Sequence, residues 1–142
     1  MYGGGFSLAT AMESSGLARW LGSLMAGLGG LPDLVVFGGL ALLVLLLSEV
    51  ASNTATAAMA LPIAASLGYA IGEPPIVLML ITALAASAGF ALPVATPPNL
   101  IVFGSGHVTV RQMARAGVLL DVMAVAVVVL LVTLLHPVVF GG

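Results

Sequence analysis

The sequence has no cysteine, no lysine and very little charge of either sign. Each absence excludes something. Without cysteine there is no disulfide framework and no thiolate metal site, and the redox compartment is left unmarked. The only basic side chains are Arg19, Arg111 and Arg115, set against Glu13, Asp33, Glu49, Glu73 and Asp121 for a formal net charge of −2. No basic patch for nucleic acid is present. Charged residues make up 6% of 142 and hydrophobic ones 61%, with a mean hydropathy of +1.28. A soluble domain carries about 25% charged residues, so this chain lacks the means to cover a water-facing surface. The composition is that of an integral membrane protein, with the lipid bilayer as its first partner. Its apolar runs read as helices, so an all-α, multi-pass protein is expected, in a cell membrane. No pairing of nucleophile and base and no metal cluster is visible, so an enzyme is not expected.

Long hydrophobic runs of spanning length are also scarce. Residues 1–30 read as the end of a membrane helix, without the positive region and cleavage signal of a signal peptide, and then an interfacial segment anchored by Trp20, with a short polar inter-helix loop as the alternative. The chain is therefore expected to be the C-terminal half, or a fragment, of something longer. Residues 34–47 form an unbroken apolar run, about 21 Å as a helix, against a hydrocarbon core of roughly 30 Å. Polar residues 48–56 interrupt it, and a second apolar arm returns to Gly72 and Glu73. Residues 34–71 thus predict a re-entrant hairpin, entering and leaving on one side. A helix is expected from 76, stopped at Pro93 and resumed over 99–103, so that 76–103 is one broken helix. Residues 117–135 make the last spanning helix. Arg111 and Arg115 before it place its start in the cytoplasm by the positive-inside rule.

The polar interruptions carry the chemistry. "ASNTATAAMALP" (residues 51–62) puts Ser52, Asn53, Thr54 and Thr56 at membrane depth with no charge among them. Irregular backbone there survives only against protein or a water-filled cavity. At each interruption one helix ends with unpaired carbonyls, suited to a hard cation, and another begins with unpaired N–H groups, suited to an anion. Thr96 before Pro97 is a good N-cap and N1 pair. No Arg or Lys lies in either interruption, so an anion bound there needs a co-bound cation. The competing reading is that these hydroxyls only cap and glue helices. Glu49 either orients the tip through backbone contacts or is neutralised by protonation. Asp121 is expected either in an interfacial pairing with Arg115 or in a snorkelling position, with a proton relay as the competing reading. His107 and His136 receive no function, and the seven methionines read as core filler.

"SEVASNTATAAMALPIA" (48–64) and "LPVATPPNLIVFGSG" (92–106) resemble the second-half signatures of the divalent anion/sodium symporters, and "GGGFSLATAMESSGLARWLG" (3–22) is similar to the stretch before the second hairpin in that family. The resemblance covers nearly the whole chain. It implies one half of an inverted-repeat transporter, homodimeric when complete, which carries dicarboxylates, citrate or sulfate with sodium by an elevator-like shift. It implies substrate contacts from Ser52, Asn53, Thr54 and Thr96, and a sodium ion (Na+) held by Ser48, Ala51, Asn53 and Ala95, partly through backbone carbonyls. Sodium would be the coupling ion, with no organic cofactor. The N-terminal half, with its own hairpin and sodium site, has no counterpart in this sequence. Two further readings stand beside it. One is a non-transporting membrane subunit that folds only beside a partner; the other is an arsenite or proton-linked permease of the same superfamily, with Glu49 as its sole titratable candidate.

Overall fold

The computed structural model describes residue 7, residues 10–24 and residues 26–139. Of the N-terminal helix tail expected from the sequence, residues 1–6, 8 and 9 lie outside the described part. The described chain is all helical: α1 (Leu17–Leu24), a 3-10 turn (Ala26–Gly30), α2 (Asp33–Val50), α3 (Asn53–Ile71), α4 (Pro75–Ala86), α5 (Pro97–Gly104) and α6 (Val110–Val139). Among the described residues, α2, α3 and α6 are long and apolar enough to cross a membrane.

Asp33 in the first turn of α2 suits the positive end of the helix dipole. Helix α2 is apolar nearly all round, as a helix buried in protein or lipid must be. Its inner face, Phe37, Ala41, Val44 and Leu45, is shut away, while Leu34, Leu42, Leu43 and Leu46 point outward to what a bilayer or another protein would cover. The chain turns at Ala51 and Ser52, both extended, and α3 runs back to Gly72, whose φ of 83° ends the helix in the left-handed conformation. Gly29 lies about a van der Waals contact from Ile71, so the entry to α2 and the exit from α3 stand together.

The two arms are kept apart by α4, which packs between them and buries Val77, Leu78, Ile81, Thr82, Ala85 and Ala86. Small residues permit this. A Cβ on Gly68 would stand 2.8 Å from Pro75 Cα, so only glycine lets α3 come so near the start of α4. Helix α1 lies along the other side of α3, with Ala18 buried and Trp20 58% exposed, as an anchor facing a headgroup layer would be.

The structure departs from the sequence expectations in three places. First, α2 is longer than its apolar run: Asp33 and residues 48–50 join it, giving 18 residues and about 27 Å. Length therefore does not distinguish a re-entrant arm from a full span. Second, α4 stops at Ala86, not at Pro93: the Ala86 carbonyl is taken by the Ser48 hydroxyl, and Gly89 comes up against Asn53 and Ser48 at the hairpin tip. Third, α5 begins at Pro97 and α6 at Val110, both earlier than the apolar runs alone suggest. Thr109 starts α6 as a capping pair with Gln112, whose Oε1 accepts from the Thr109 N–H and hydroxyl, both at 2.9 Å.

Candidate functional site

The hairpin tip and the broken helix meet. Ser52 is the N-cap of α3, its hydroxyl oxygen accepting from the Ala55 N–H at 3.3 Å. Thr96 caps α5 in the same way, accepting from the Asn99 N–H at 3.3 Å. Ser52, Asn53, Thr54 and Thr96 line one cleft, together with Phe90 and Asn99, and none of its lining residues is charged.

The two helix starts facing this cleft are not equivalent. Ala55 and Thr56 bond to Ser52, which leaves the amides of Asn53 and Thr54 outside the first turn's bonding. At α5 the first two residues are Pro97 and Pro98, which have no N–H, and Asn99 and Leu100 bond to Thr96. The expectation of free backbone donors at both breaks is corrected here. Helix α3 has them, whereas α5 offers the Thr96 hydroxyl and its dipole.

Behind the cleft, oxygens gather. The fully buried Ser48 hydroxyl lies 2.7 Å from Asn53 Oδ1 and 2.5 Å from the Ala86 carbonyl oxygen, two acceptors for its single proton. A Cβ built on Gly89 would stand 3.4 Å from Asn53 Oδ1, 3.4 Å from the Ser48 carbonyl oxygen and 3.3 Å from Ala95 Cβ. The space in front of Gly89 is thus shared by Ser48, Asn53 and Ala95. Ala51 sits at the turn as the C-cap of α2, its N–H bonded to the Leu47 carbonyl at 2.9 Å.

The broken segment, residues 87–96, has its backbone groups bonded by side chains from elsewhere. Glu49 accepts from the Ala91 N–H at 2.9 Å and the Leu92 N–H at 2.7 Å, one on each carboxyl oxygen. Asp121 accepts from the Phe90 N–H at 3.1 Å. The Asn99 side-chain amide donates to the carbonyls of Leu92 at 3.0 Å and Gly89 at 3.4 Å. Of the two readings of Glu49, the backbone contacts are present, made to the break. Asp121 does not pair with Arg115: it is 5% exposed, faces inward and is bonded to the break. Six positions turn a helix by about 240°, so Arg115, which is exposed, lies on another face.

Sequence reasoning did not reach the parts played by Asp121, Gly89 and the Asn99 amide. An acid inside an otherwise apolar run was the available signal for the first.

A family model described as "Sodium:sulfate symporter transmembrane region" matches residues 1–141. The chain belongs to this family. Within the sodium:sulfate symporter family its curated relatives include two proteins named sodium-dependent dicarboxylate transporter SdcS. One is from Staphylococcus saprophyticus, 43% identical over 141 residues, which are 99% of this chain and 27% of that protein. The other, from Staphylococcus aureus, is also 43% identical over 141 residues and covered to the same extent. The chain therefore spans about a quarter of the length of these relatives.

Proposed function

We propose that this chain builds one anion site and one cation site of a sodium-coupled carrier for divalent anions, with dicarboxylates the first candidates. The observation that carries the reading is the meeting of two chain breaks. The hairpin tip and the interrupted α4–α5 element turn hydroxyls and Asn53 and Thr54 amides toward one uncharged cleft, with an oxygen-lined space directly behind it. Ser52, Asn53, Thr54 and Thr96 hold the anion. Oxygens of Ser48, Ala51, Asn53 and Ala95 hold Na+, which is cargo as well as counter-charge. Oxygen donors without a fixed positive charge suit a hard cation, and a cation beside the cleft offsets the cost of burying the anion.

The hairpin is re-entrant in this reading. His136 at the end of α6 meets Glu73 beside the hairpin mouth, and Asp121 meets the break behind the tip. Between those levels α6 rises about 22 Å, and it continues about 16 Å further to Val110. The tip then lies within the membrane rather than at its far face. The hairpin mouth and Arg111 sit at opposite ends of α6, which puts the mouth outside if the arginines are cytoplasmic. The carrier works in a cell membrane, its other half supplies the second set of sites, and it pairs as a homodimer. The names of the relatives favour sodium over protons as coupling ion, and both Glu49 oxygens are already engaged by backbone N–H groups.

The test is uptake by the complete transporter that contains this chain, with and without sodium, with succinate, citrate and sulfate in competition. Sodium-dependent uptake displaced by a divalent anion supports the reading. Uptake driven by a proton gradient alone, or none by a folded and complete protein, overturns it.

A further inference from the structure

We propose that Asp121, on the last helix, is a positioning residue for the cation site, acting through the broken segment that it shares with Glu49. The inference rests on the cation reading above and adds to it a residue outside the cleft.

Three consecutive amides, those of Phe90, Ala91 and Leu92, are each bonded to a carboxyl oxygen. Two of these oxygens come from Glu49, on the hairpin, and the third from Asp121, on a helix 72 positions further along the chain. Residues in a non-helical stretch have no ladder to fix their conformation, so these bonds set its shape. What the stretch carries is the site itself. Gly89 stands next to Phe90 and provides the space shared by Ser48, Asn53 and Ala95, while Phe90 lines the cleft. A shift at the Phe90 amide moves both.

The last helix is fitted to this task by a second, independent contact. Gly117 lies one turn before Asp121 on the same buried stripe of α6, and a Cβ there would collide with Ala91 Cα and the Phe90 carbonyl oxygen. Backbone therefore rests on backbone at that point, and the Asp121 carboxyl accepts from the preceding amide, that of Phe90. Asp121 is buried and meets the cleft-lining Phe90 only at its backbone N–H, behind the cleft, so its effect on ions runs through Phe90 and Gly89.

The experiment compares wild type, Asp121→Ala and Asp121→Asn in the complete transporter. Sodium activation of uptake and the half-saturating succinate concentration are both measured, alongside amide hydrogen exchange of the 87–96 segment in purified protein. Asp121→Ala is expected to raise the half-activating sodium concentration on the order of tenfold, the size expected for losing a hydrogen bond to a charged group. It should also speed exchange at Phe90. Asp121→Asn keeps an acceptor oxygen and should restore most of both. A purely structural role would lower the yield of folded transporter and leave its sodium dependence alone. Unchanged sodium activation in folded Asp121→Ala overturns the proposal, as does an Asp121→Asn variant no better than alanine. If wild type itself shows no sodium dependence, the cation reading has failed, and the exchange data still report whether Asp121 holds the break.

Discussion

His136 Nε2 lies 2.9 Å from Glu73 Oε2, which pins the end of the last helix to the mouth of the hairpin. Both side chains are about one-fifth exposed, and the His136 ring stands edge-on to Phe37 with centroids 6.2 Å apart. The side chains are partly exposed although the two contacting atoms are covered, so the coupling should be modest. A double-mutant cycle of His136→Ala and Glu73→Ala on unfolding of the purified protein should give about 0.5–1 kcal/mol, falling with added salt. Zero coupling at low salt would mean that the two groups are neighbours without being partners.

The approach of α6 to the break depends on Gly117. Any side chain there must displace backbone, because the atoms that a Cβ meets belong to the main chain of Phe90 and Ala91. Gly117→Val should destabilise the protein by at least about 2 kcal/mol, the range of an overpacked core. Thermal unfolding in detergent reads this directly. Wild-type stability in that variant would show that α6 stands off the broken segment.

Gly89→Ala is a sharper probe of the cation site than removal of a ligand. Gly89 is not among the glycines at positive φ, so alanine fits the backbone, and its methyl group would stand between Asn53 Oδ1 and the Ser48 carbonyl oxygen. Sodium affinity should fall on the order of tenfold or more, while the folded protein stays monodisperse. Asn53→Leu should weaken sodium dependence as well, and it also removes one of the two acceptors of the Ser48 hydroxyl. Normal sodium activation in both variants would place the ion elsewhere.

The cleft hydroxyls can be separated from their capping work by paired substitutions. Thr54→Ala and Thr96→Ala should each weaken anion binding about tenfold to a hundredfold, the range for a hydrogen bond to a charged group. Thr54→Ser and Thr96→Ser should cost much less. Thr96→Ala has a second effect, because its oxygen caps α5, worth about 1 kcal/mol of stability. Binding is therefore measured on purified, monodisperse protein. Wild-type affinity in both alanine variants would leave these threonines as caps alone.

Much of the site was legible because polar residues in an apolar chain have few uses. Thr96 could be read as a cap from local rules, and it is one; at the tip the same rules left Ser52, Asn53 and Thr54 undivided, and Ser52 is the cap. The breaks themselves followed from the prolines and from the run of hydroxyl and amide residues. The width of the second break was not legible. Proline marks where a helix cannot continue, but α4 ends earlier because the Ala86 carbonyl meets Ser48, 38 positions back in the sequence. Asp121 was misplaced for a similar reason: its distance from Arg115 is local, whereas its partner, Phe90, is known only once the helices are stacked. The apolar run likewise underestimated α2, since Ser48 finds a partner at the end of α4 and Glu49 in the broken segment, and the helix keeps going through them.

The grip of Glu49 on two successive amides limits how the cleft can be opened. Raising the tip away from the break would strip Ala91 and Leu92 of their acceptors and leave a buried carboxyl group without donors. Each orphaned group costs about 1–3 kcal/mol, so parting the two faces is disfavoured by several kcal/mol before any ion is counted. With α4 packed between the arms, hairpin and broken helix form one packed unit, so hinging the tip alone is a costly way to open a cleft built on both.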